Sequence, residues 1–177
     1  MKILIAEDEP DITMAYKIAL ERRNHQVVLA ENGEECLKAY GDALKHMSNS
    51  DSMPFDAVVL DYRMPKKDGM EVAKEILALN PHQRIIFASA YIKETLVYLV
   101  KQLKQIVELM QKPFELDALV GTIEDKEIYA RLKKLDLKVH QMTDLDPQHQ
   151  WTRDFFEELQ KIQKNDVWYV IGDAIFG

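Results

Sequence analysis

Cysteines, long apolar runs and a signal sequence are scarce or absent in this chain. Cys36 is the only cysteine among 177 residues, so an intrachain disulfide is impossible. The favoured interpretation of Cys36 is a small, partly buried side chain rather than a reactive thiol. No apolar run approaches the ~20 residues that span a bilayer, and the apolar N-terminus meets Glu7 and Asp8 too early for a signal peptide. We therefore predict a cytoplasmic protein with no membrane insertion.

An excess of positive charge is also absent. The formal net charge is −7, and a surface of that sign repels nucleic acid unless a basic patch overrides it. Basic residues form only short clusters, at positions 22–23, 66–67 and 133–134. The five histidines, at positions 25, 46, 82, 140 and 149, show no metal-ligand spacing. The composition therefore argues against DNA binding and against a histidine-based metal site.

Short apolar runs alternate with amphipathic stretches through the first two-thirds of the chain. The runs predict strands over residues 3–6, 26–30, 55–60, 84–88 and 106–110. The stretches that follow them predict helices over residues 11–23, 33–47, 69–79, 93–104 and 114–123. Such alternation implies parallel strands joined by right-handed crossovers. Because near-continuous apolar strands suit a sheet that is covered on both faces, we predict a doubly wound α/β fold.

Polar residues follow four of the predicted strands at their carboxyl ends, where ligands bind in such sheets. They are Glu7, Asp8 and Glu9 after the first strand, Asp61 after the third, Ser89 after the fourth and Lys112 after the fifth. Clustered carboxylates repel one another, so a hard cation such as Mg²⁺ is expected among them. An aspartate can form an acyl phosphate, and cations and hydroxyl donors stabilise the transferring group. The set therefore predicts phosphoryl transfer.

Each of these residues also has a purely structural interpretation. The acidic run from Glu7 to Glu9 could be a solvated loop at the start of a helix, and Asp61 could begin a turn. Ser89 could cap a helix, and Lys112 could be an ordinary surface lysine. No single residue decides between these interpretations. Because all of them are predicted to lie at one edge of the sheet, the functional interpretation is favoured.

Five segments resemble the response regulator receiver family, in the family's order and over about residues 1–124. The segment with the phosphoacceptor position is DAVVLDYRMPKKDGM, at residues 56–70, and the others are ILIAEDEP, AENGEE, FASAY and QKPF. The resemblance implies a CheY-like, flavodoxin-like fold with a five-stranded parallel sheet in the order 2-1-3-4-5. It also implies a receiver domain over residues 1–124 and a role in a two-component phosphorelay.

The resemblance further implies a role for each site residue. The ligands of Mg²⁺ would be Glu7, Asp8, Asp61 and the backbone carbonyl of Arg63. The phosphoryl group would be accepted by Asp61, approached by the switch hydroxyl of Ser89 and paired with Lys112. The bond between Lys112 and Pro113 would be cis. A separate histidine kinase or phosphotransfer protein would supply the phosphoryl group, because nothing marks a histidine of this chain as a donor.

Two positions depart from related patterns. Leu109 stands where the family often has an aromatic switch residue, so the aromatic half of the usual switch is not expected here. Arg63 stands where phosphatases with an aspartate nucleophile commonly have a second, acid–base aspartate, which argues against sustained turnover. We therefore predict a signalling switch with its own phosphorylation and dephosphorylation chemistry, not an enzyme in the ordinary sense.

Residues 125–177 form an extension whose role the sequence leaves open. Apolar residues at positions 128, 132, 135 and 139, and again at 155–162, predict amphipathic helices. The run VWYVI at residues 167–171 predicts an added edge strand or a docked tail. About fifty residues rarely fold alone, so docking on the receiver or on a partner, which could be a second copy of the chain, is expected. The alternative is a transcription regulator with a small DNA-binding fold, which eleven acidic against eight basic residues from Glu124 onward disfavour.

Overall fold

A computed structural model describes residues 1–47, 53–90, 103, 107–127, 129–131, 167–171 and 174–176. The strands of this part of the chain are β1 (Lys2–Ala6), β2 (Gln26–Ala30), β3 (Ala57–Leu60), β4 (Ile85–Ser89), β5 (Val107–Gln111), β6 (Val167–Ile171) and β7 (Ala174–Phe176). Its principal helices are α1 (Pro10–Glu21), α2 (Gly33–Lys45), α3 (Gly69–Leu79) and α4 (Leu116–Glu124). Within the described ranges, no helix is long and apolar enough to cross a membrane.

The described strands form one sheet in the order β2-β1-β3-β4-β5-β6-β7. Strands β1 to β5 are parallel, which confirms the predicted five-stranded sheet and its order 2-1-3-4-5. Strand β6 pairs with β5, and β7 pairs with β6, in both cases antiparallel. Residues 167–171, predicted as an added edge strand or a docked tail, therefore form a strand next to β5, and β7 rather than β6 lies at the edge of the described sheet. The short strand β7 had no counterpart in the sequence analysis.

Two predictions fall largely outside the described residues. Of the helix predicted over residues 93–104, only Leu103 is described. Of the helices predicted in the extension, residues 126–127 and 129–131 are helical, and the remainder lies outside. Helix α4 ends at Glu124, while the division of the chain into two domains at that point stays a prediction.

Alternate residues of the parallel strands point to opposite faces of the sheet, and each face has its own core. The core beneath α2 and α3 includes the strand residues Leu4, Val58, Ile85 and Phe87. The core beneath α1 and α4 includes Ile3, Val59, Ile86 and Met110. Burial on both faces explains why the strands are almost continuously apolar. It also leaves the carboxyl edge of the sheet as the place where polar side chains gather.

Helix α3 begins against the strand end that carries Asp61. The Asp68 carboxylate accepts the Glu71 amide at 2.8 Å, and the Glu71 carboxylate accepts the Asp68 amide at 3.0 Å, which is a capping box. At Gly69, the next residue, a Cβ atom would lie 2.2 Å from the backbone oxygen of Asp61. Glycine is therefore required for this close approach between the helix and the strand end.

A buried ion pair links Arg84, the residue before β4, to β5 and α4 at the opposite, amino-terminal edge of the parallel strands. The Arg84 guanidinium donates to both oxygens of the Glu108 carboxylate, at 2.6 and 2.8 Å, and the two side chains are 3% and 1% exposed. It also donates to the backbone oxygens of Thr122 and Ile123, at 2.7 and 2.9 Å. The Tyr129 ring centroid lies 4.7 Å from the guanidinium carbon. Because a buried charge is tolerated only with such partners, this network ties the end of α4 to the sheet.

Candidate functional site

The carboxyl ends of β1 and β3 bring Glu7 and Asp61 side by side. Ala6 and Leu60 are paired in the sheet, and the Asp61 amide donates to the Ala6 carbonyl oxygen at 2.9 Å. The Glu7 amide donates to the Ala30 carbonyl oxygen of β2 at 3.1 Å. Hydrogen bonding therefore continues one residue past the strands and fixes the backbone beneath both carboxylates.

Three carboxylates form an acidic cluster at this edge. One oxygen from each of Glu7, Asp8 and Asp61 lies within 4.8 Å of the other two. Glu7 is 1% exposed and Asp61 is 9% exposed, whereas Asp8 faces solvent. Mg²⁺ prefers a few carboxylate oxygens together with retained waters. The cluster therefore fits a hard divalent cation that is held at the surface of the sheet edge.

Lys112 supplies positive charge to the site from the end of β5. Its ammonium nitrogen lies 2.5 Å from Glu7 Oε2 and 3.5 Å from Asp61 Oδ1. The Lys112 amide donates to the Ser89 carbonyl oxygen at 2.9 Å. The bond between Lys112 and Pro113 is cis, which confirms the prediction. The lysine is therefore close enough to Asp61 to pair with an anionic group attached there.

Burial changes the ionisation of both interior carboxyls. Desolvation raises the pKa of Glu7 above its ordinary value, against the opposing effect of the Lys112 hydrogen bond. Desolvation also raises the pKa of Asp61, where the Lys112 charge opposes the shift and the Asp8 charge adds to it. One lysine therefore does not offset the cost of burying two carboxylates. A cation bound among them would lower both pKa values.

Ser89 and Arg63 complete the set of predicted site residues. Ser89 is the last residue of β4, is 1% exposed and pairs with Gln111 of β5 in the sheet. Arg63 is exposed in the loop between β3 and α3, two residues past Asp61. The contacts thus bring Glu7, Asp8, Asp61 and Lys112 together, with Ser89 bonded through its backbone to Lys112. The functional roles of all these residues stay predictions.

Two features of this edge were missed by the sequence analysis. The first is Thr13 of α1, a buried residue whose hydroxyl contacts backbone oxygens of the acidic loop. The second is a groove of about 550 Å³ beside Lys112, whose mostly apolar lining includes Ile12, Tyr16, Phe114 and Leu116. Its walls come from α1 and from the segment after β5, which are far apart in the sequence. No local pattern could therefore have indicated the groove.

Comparison with known proteins gives a consistent result. The family described as "Response regulator receiver domain" matches residues 3–124 of this chain. The chain is 30% identical over 126 residues to the chemotaxis protein CheY of Listeria monocytogenes, with 70% of this chain and 96% of that protein covered. It is 31% identical over 125 residues to the transcriptional regulatory protein RprY of Bacteroides fragilis, with 70% of this chain but only 48% of that protein covered.

A solved structure with a similar fold is the response regulator protein TrrA of Thermotoga maritima, in complex with Mg(2+)-BeF. The TM-score is 0.57 and the sequence identity is 31%, with 70% of this chain and 96% of the TrrA chain covered. The shared part therefore amounts to nearly the whole of TrrA.

Proposed function

The chain belongs to the response regulator receiver family of two-component systems, and we propose that it accepts a phosphoryl group on Asp61 in a Mg²⁺-dependent reaction. Receivers are signalling switches rather than ordinary enzymes. The observation that carries the proposal is the convergence of Glu7, Asp8 and Asp61 within 4.8 Å, with the Lys112 ammonium 3.5 Å from Asp61. A nucleophilic carboxylate, oxygen ligands for a hard cation and a fixed positive charge are what phosphoryl transfer requires.

The proposed transfer takes place at one carboxylate oxygen of Asp61. This oxygen attacks the phosphorus of a phosphohistidine, a P–O bond forms, the P–N bond breaks, and the histidine keeps the electron pair and takes a proton. Mg²⁺, when bound, neutralises charge on the transferring oxygens. Its proposed ligands are Glu7, Asp8, Asp61 and the backbone carbonyl of Arg63.

Lys112 and Ser89 are proposed to hold the phosphoryl group once it is on Asp61. The Lys112 ammonium already lies between Glu7 and Asp61, and a more highly charged group on Asp61 would be a stronger partner for it. Ser89 ends the neighbouring strand, and its hydroxyl is the proposed donor to a phosphoryl oxygen. The Lys112 amide bond to the Ser89 carbonyl would couple the positions of these two residues.

A histidine kinase or phosphotransfer protein is the proposed phosphodonor. The donor histidine must reach Asp61, so the donor protein must cover the surface that adjoins the site. The groove of about 550 Å³ opens there and includes Lys112 in its lining. Leu116 in the groove is 37% exposed, and Met14 and Ile18 of α1 are 50% and 44% exposed. Exposed apolar side chains beside a reactive group suit a transient protein interface, so we propose that the donor docks on α1.

The proposed output runs through protein contacts of the extension. Strand β6 pairs with β5 from Val107 to Met110, and β5 leads directly into Lys112. Leu109, at the position where many receivers have an aromatic residue, is opposite Trp168 in this register. A change at Asp61 that moves Lys112 would therefore reach the extension along β5. The cytoplasmic location expected from the sequence is part of this proposal.

A DNA-binding transcription regulator is the alternative. RprY is named a transcriptional regulatory protein, but the match covers less than half of it. The extension also has three more acidic than basic residues from Glu124 onward. Binding to duplex DNA that weakens with added salt would favour this alternative. No binding at low salt would favour output through protein contacts.

Beryllofluoride, a mimic of an acyl phosphate, tests the proposal. With Mg²⁺ present, fluorine NMR of the wild-type protein should show bound beryllofluoride resonances, which should disappear on chelation and in Asp61→Asn. Asp56→Asn is the matched control, because Asp56 lies at the other edge of the sheet and should leave binding unchanged. Absence of bound resonances in the folded wild-type protein with Mg²⁺ would contradict the proposal.

A further inference from the structure

Thr13 is a buried polar residue that the proposed reaction does not use. It lies in the first turns of α1 and is 7% exposed. Its hydroxyl oxygen lies 3.2 Å from the backbone oxygen of Glu7 and 2.9 Å from the backbone oxygen of Glu9. Because these two carbonyl groups flank Asp8, one hydroxyl spans the turn that carries the Asp8 carboxylate.

The position of Asp8 depends on this turn more than the positions of the other two carboxylates do. Glu7 is held by its ion pair with Lys112 at 2.5 Å, and Asp61 is buried at a strand end. In the part of the chain that the structure describes, the Asp8 carboxylate accepts no hydrogen bond and faces solvent. Its direction therefore follows the backbone of residues 7–9, and any freedom of that backbone would be lost on binding a metal.

We infer that Thr13 is a positioning residue of the metal site, whose one hydroxyl proton is shared between the Glu7 and Glu9 carbonyl oxygens and so pre-orders Asp8 for a divalent cation. This inference rests on the proposed function, in which Mg²⁺ occupies the acidic cluster. The Thr13 amide also donates to the Glu9 carbonyl oxygen at 2.9 Å, so the hydroxyl adds a contact to the first turn of α1 rather than replacing a helical bond. Residues that orient metal ligands in this way affect metal affinity without touching the ion.

A Mg²⁺ titration of the full chain, followed by backbone amide NMR shifts, tests the inference without any measurement of activity. Thr13→Val retains the shape of the side chain and removes the donor, and it should weaken Mg²⁺ binding about tenfold. Thr13→Ser retains the hydroxyl and should bind Mg²⁺ nearly as tightly as the wild type. Thr13→Ala is a second variant that lacks the hydroxyl, in case valine is poorly tolerated.

Thr122 provides the matched control. Its hydroxyl donates to the Ala118 carbonyl oxygen at 2.8 Å, the same contact across one helical turn, and the residue is 3% exposed on α4. Thr122→Val therefore removes an equivalent hydrogen bond far from the acidic cluster and should retain the wild-type Mg²⁺ affinity. Hydrogen exchange with chelator present should show faster exchange at residues 7–9 in Thr13→Val but not in Thr122→Val.

The outcomes separate this inference from the function on which it rests. Weakened Mg²⁺ binding in Thr13→Val, with Thr13→Ser and Thr122→Val unchanged, is the expected result. Wild-type affinity in Thr13→Val, or equal weakening in Thr122→Val, would overturn the inference and leave the proposed function standing. A folded wild-type protein that binds no Mg²⁺ would overturn both.

Discussion

Asp61 and Glu7 are two buried carboxyl groups with a single lysine, Lys112, between them. Because one positive charge does not offset two buried negative charges, the stability of the metal-free protein depends on pH. Burial raises the pKa of both groups. The unfolded chain loses these protons near the ordinary values, whereas the folded protein retains them to higher pH. Between those values the folded state binds more protons, so the free energy of unfolding falls as pH rises. Above the raised pKa values both carboxyls are ionised in both states, and the free energy of unfolding falls no further on their account.

Replacing Asp61 should therefore stabilise the metal-free protein. We predict that Asp61→Asn raises the free energy of unfolding by about 1 kcal/mol at about pH 8, because the amide carries no charge. The gain should shrink as pH falls through the raised pKa of Asp61, because the wild-type carboxyl is then protonated as well. Urea unfolding with chelator present, over a range of pH values, measures the difference. A variant that is less stable than the wild type at high pH would contradict the effect attributed to burial.

Asp56 provides a control, because its pKa is shifted in the opposite direction to that of Asp61. Burial alone would raise the pKa of Asp56, but hydrogen bonds from the Lys2 amide at 2.7 Å and the Lys126 ammonium at 3.3 Å hold it below its ordinary value. This contribution is present above the unfolded pKa and is lost as pH falls through the folded pKa. Asp56→Asn should therefore lower the free energy of unfolding at neutral pH, modestly, because the side chain is 37% exposed.

At the scale of elements, the start of α3 determines how Asp61 is presented. A Cβ atom at Gly69 would lie 2.2 Å from the Asp61 backbone oxygen and 3.2 Å from a Phe87 ring carbon. We predict that Gly69→Ala forces the helix start away from the site, lowers the free energy of unfolding by about 1–3 kcal/mol and weakens beryllofluoride binding. Fluorine NMR titration and urea unfolding measure the two effects.

Gly41 is the matched control for Gly69. Nothing lies within 4 Å of a Cβ atom built at this position of α2. Gly41→Ala should leave beryllofluoride affinity unchanged and stabilise the helix by up to about 1 kcal/mol. Equal beryllofluoride affinity in the two alanine variants would show that the close contact at Gly69 does not determine the geometry at Asp61.

The Arg84–Glu108 pair stabilises the packing of elements at the other edge of the sheet. Removing one partner leaves a buried, uncompensated charge, so Glu108→Leu should cost about 3–5 kcal/mol. Combining it with Arg84→Met removes both charges, and the double variant should lose less than the sum of the two single losses. Urea unfolding of the wild type, the two single variants and the double variant gives the coupling energy of the pair as a double-mutant cycle. Strict additivity would contradict the coupling of β4 to β5 through this pair.

At the scale of the whole molecule, β6 occupies the edge of the sheet that β5 would otherwise expose. Val107 to Met110 pair with Val167 to Val170. An unpaired edge strand loses protection of its backbone amides. We predict that deletion of residues 167–177 speeds hydrogen exchange in β5 and leaves β1 unchanged, because β1 is paired on both sides within the receiver. Unchanged exchange in β5 would contradict docking of the extension along this strand.

Features that depend on local patterns could be predicted from the sequence, whereas particular side-chain contacts between distant residues could not. The parallel sheet and the convergence of Asp61 with Lys112 followed from short apolar runs, because parallel topology sends every strand's carboxyl end to one edge. The pairing of Glu108 with Arg84 did not follow, although a charged residue inside an apolar strand was a visible signal, because Arg84 is distant in the sequence and immediately precedes another strand. Thr13 had no signal at all, and the three residues of β7 are too few for a periodic pattern.

The central claim is that Asp61 becomes an acyl phosphate. Its most direct measurement is incubation with Mg²⁺ and acetyl phosphate, reduction with borohydride, which converts an aspartyl phosphate to homoserine, and peptide mass spectrometry to locate the change. We predict homoserine at position 61 only when both Mg²⁺ and the phosphodonor are present. Modification at Asp8 or Asp68 in its place, or no modification of the folded protein, would contradict the claim.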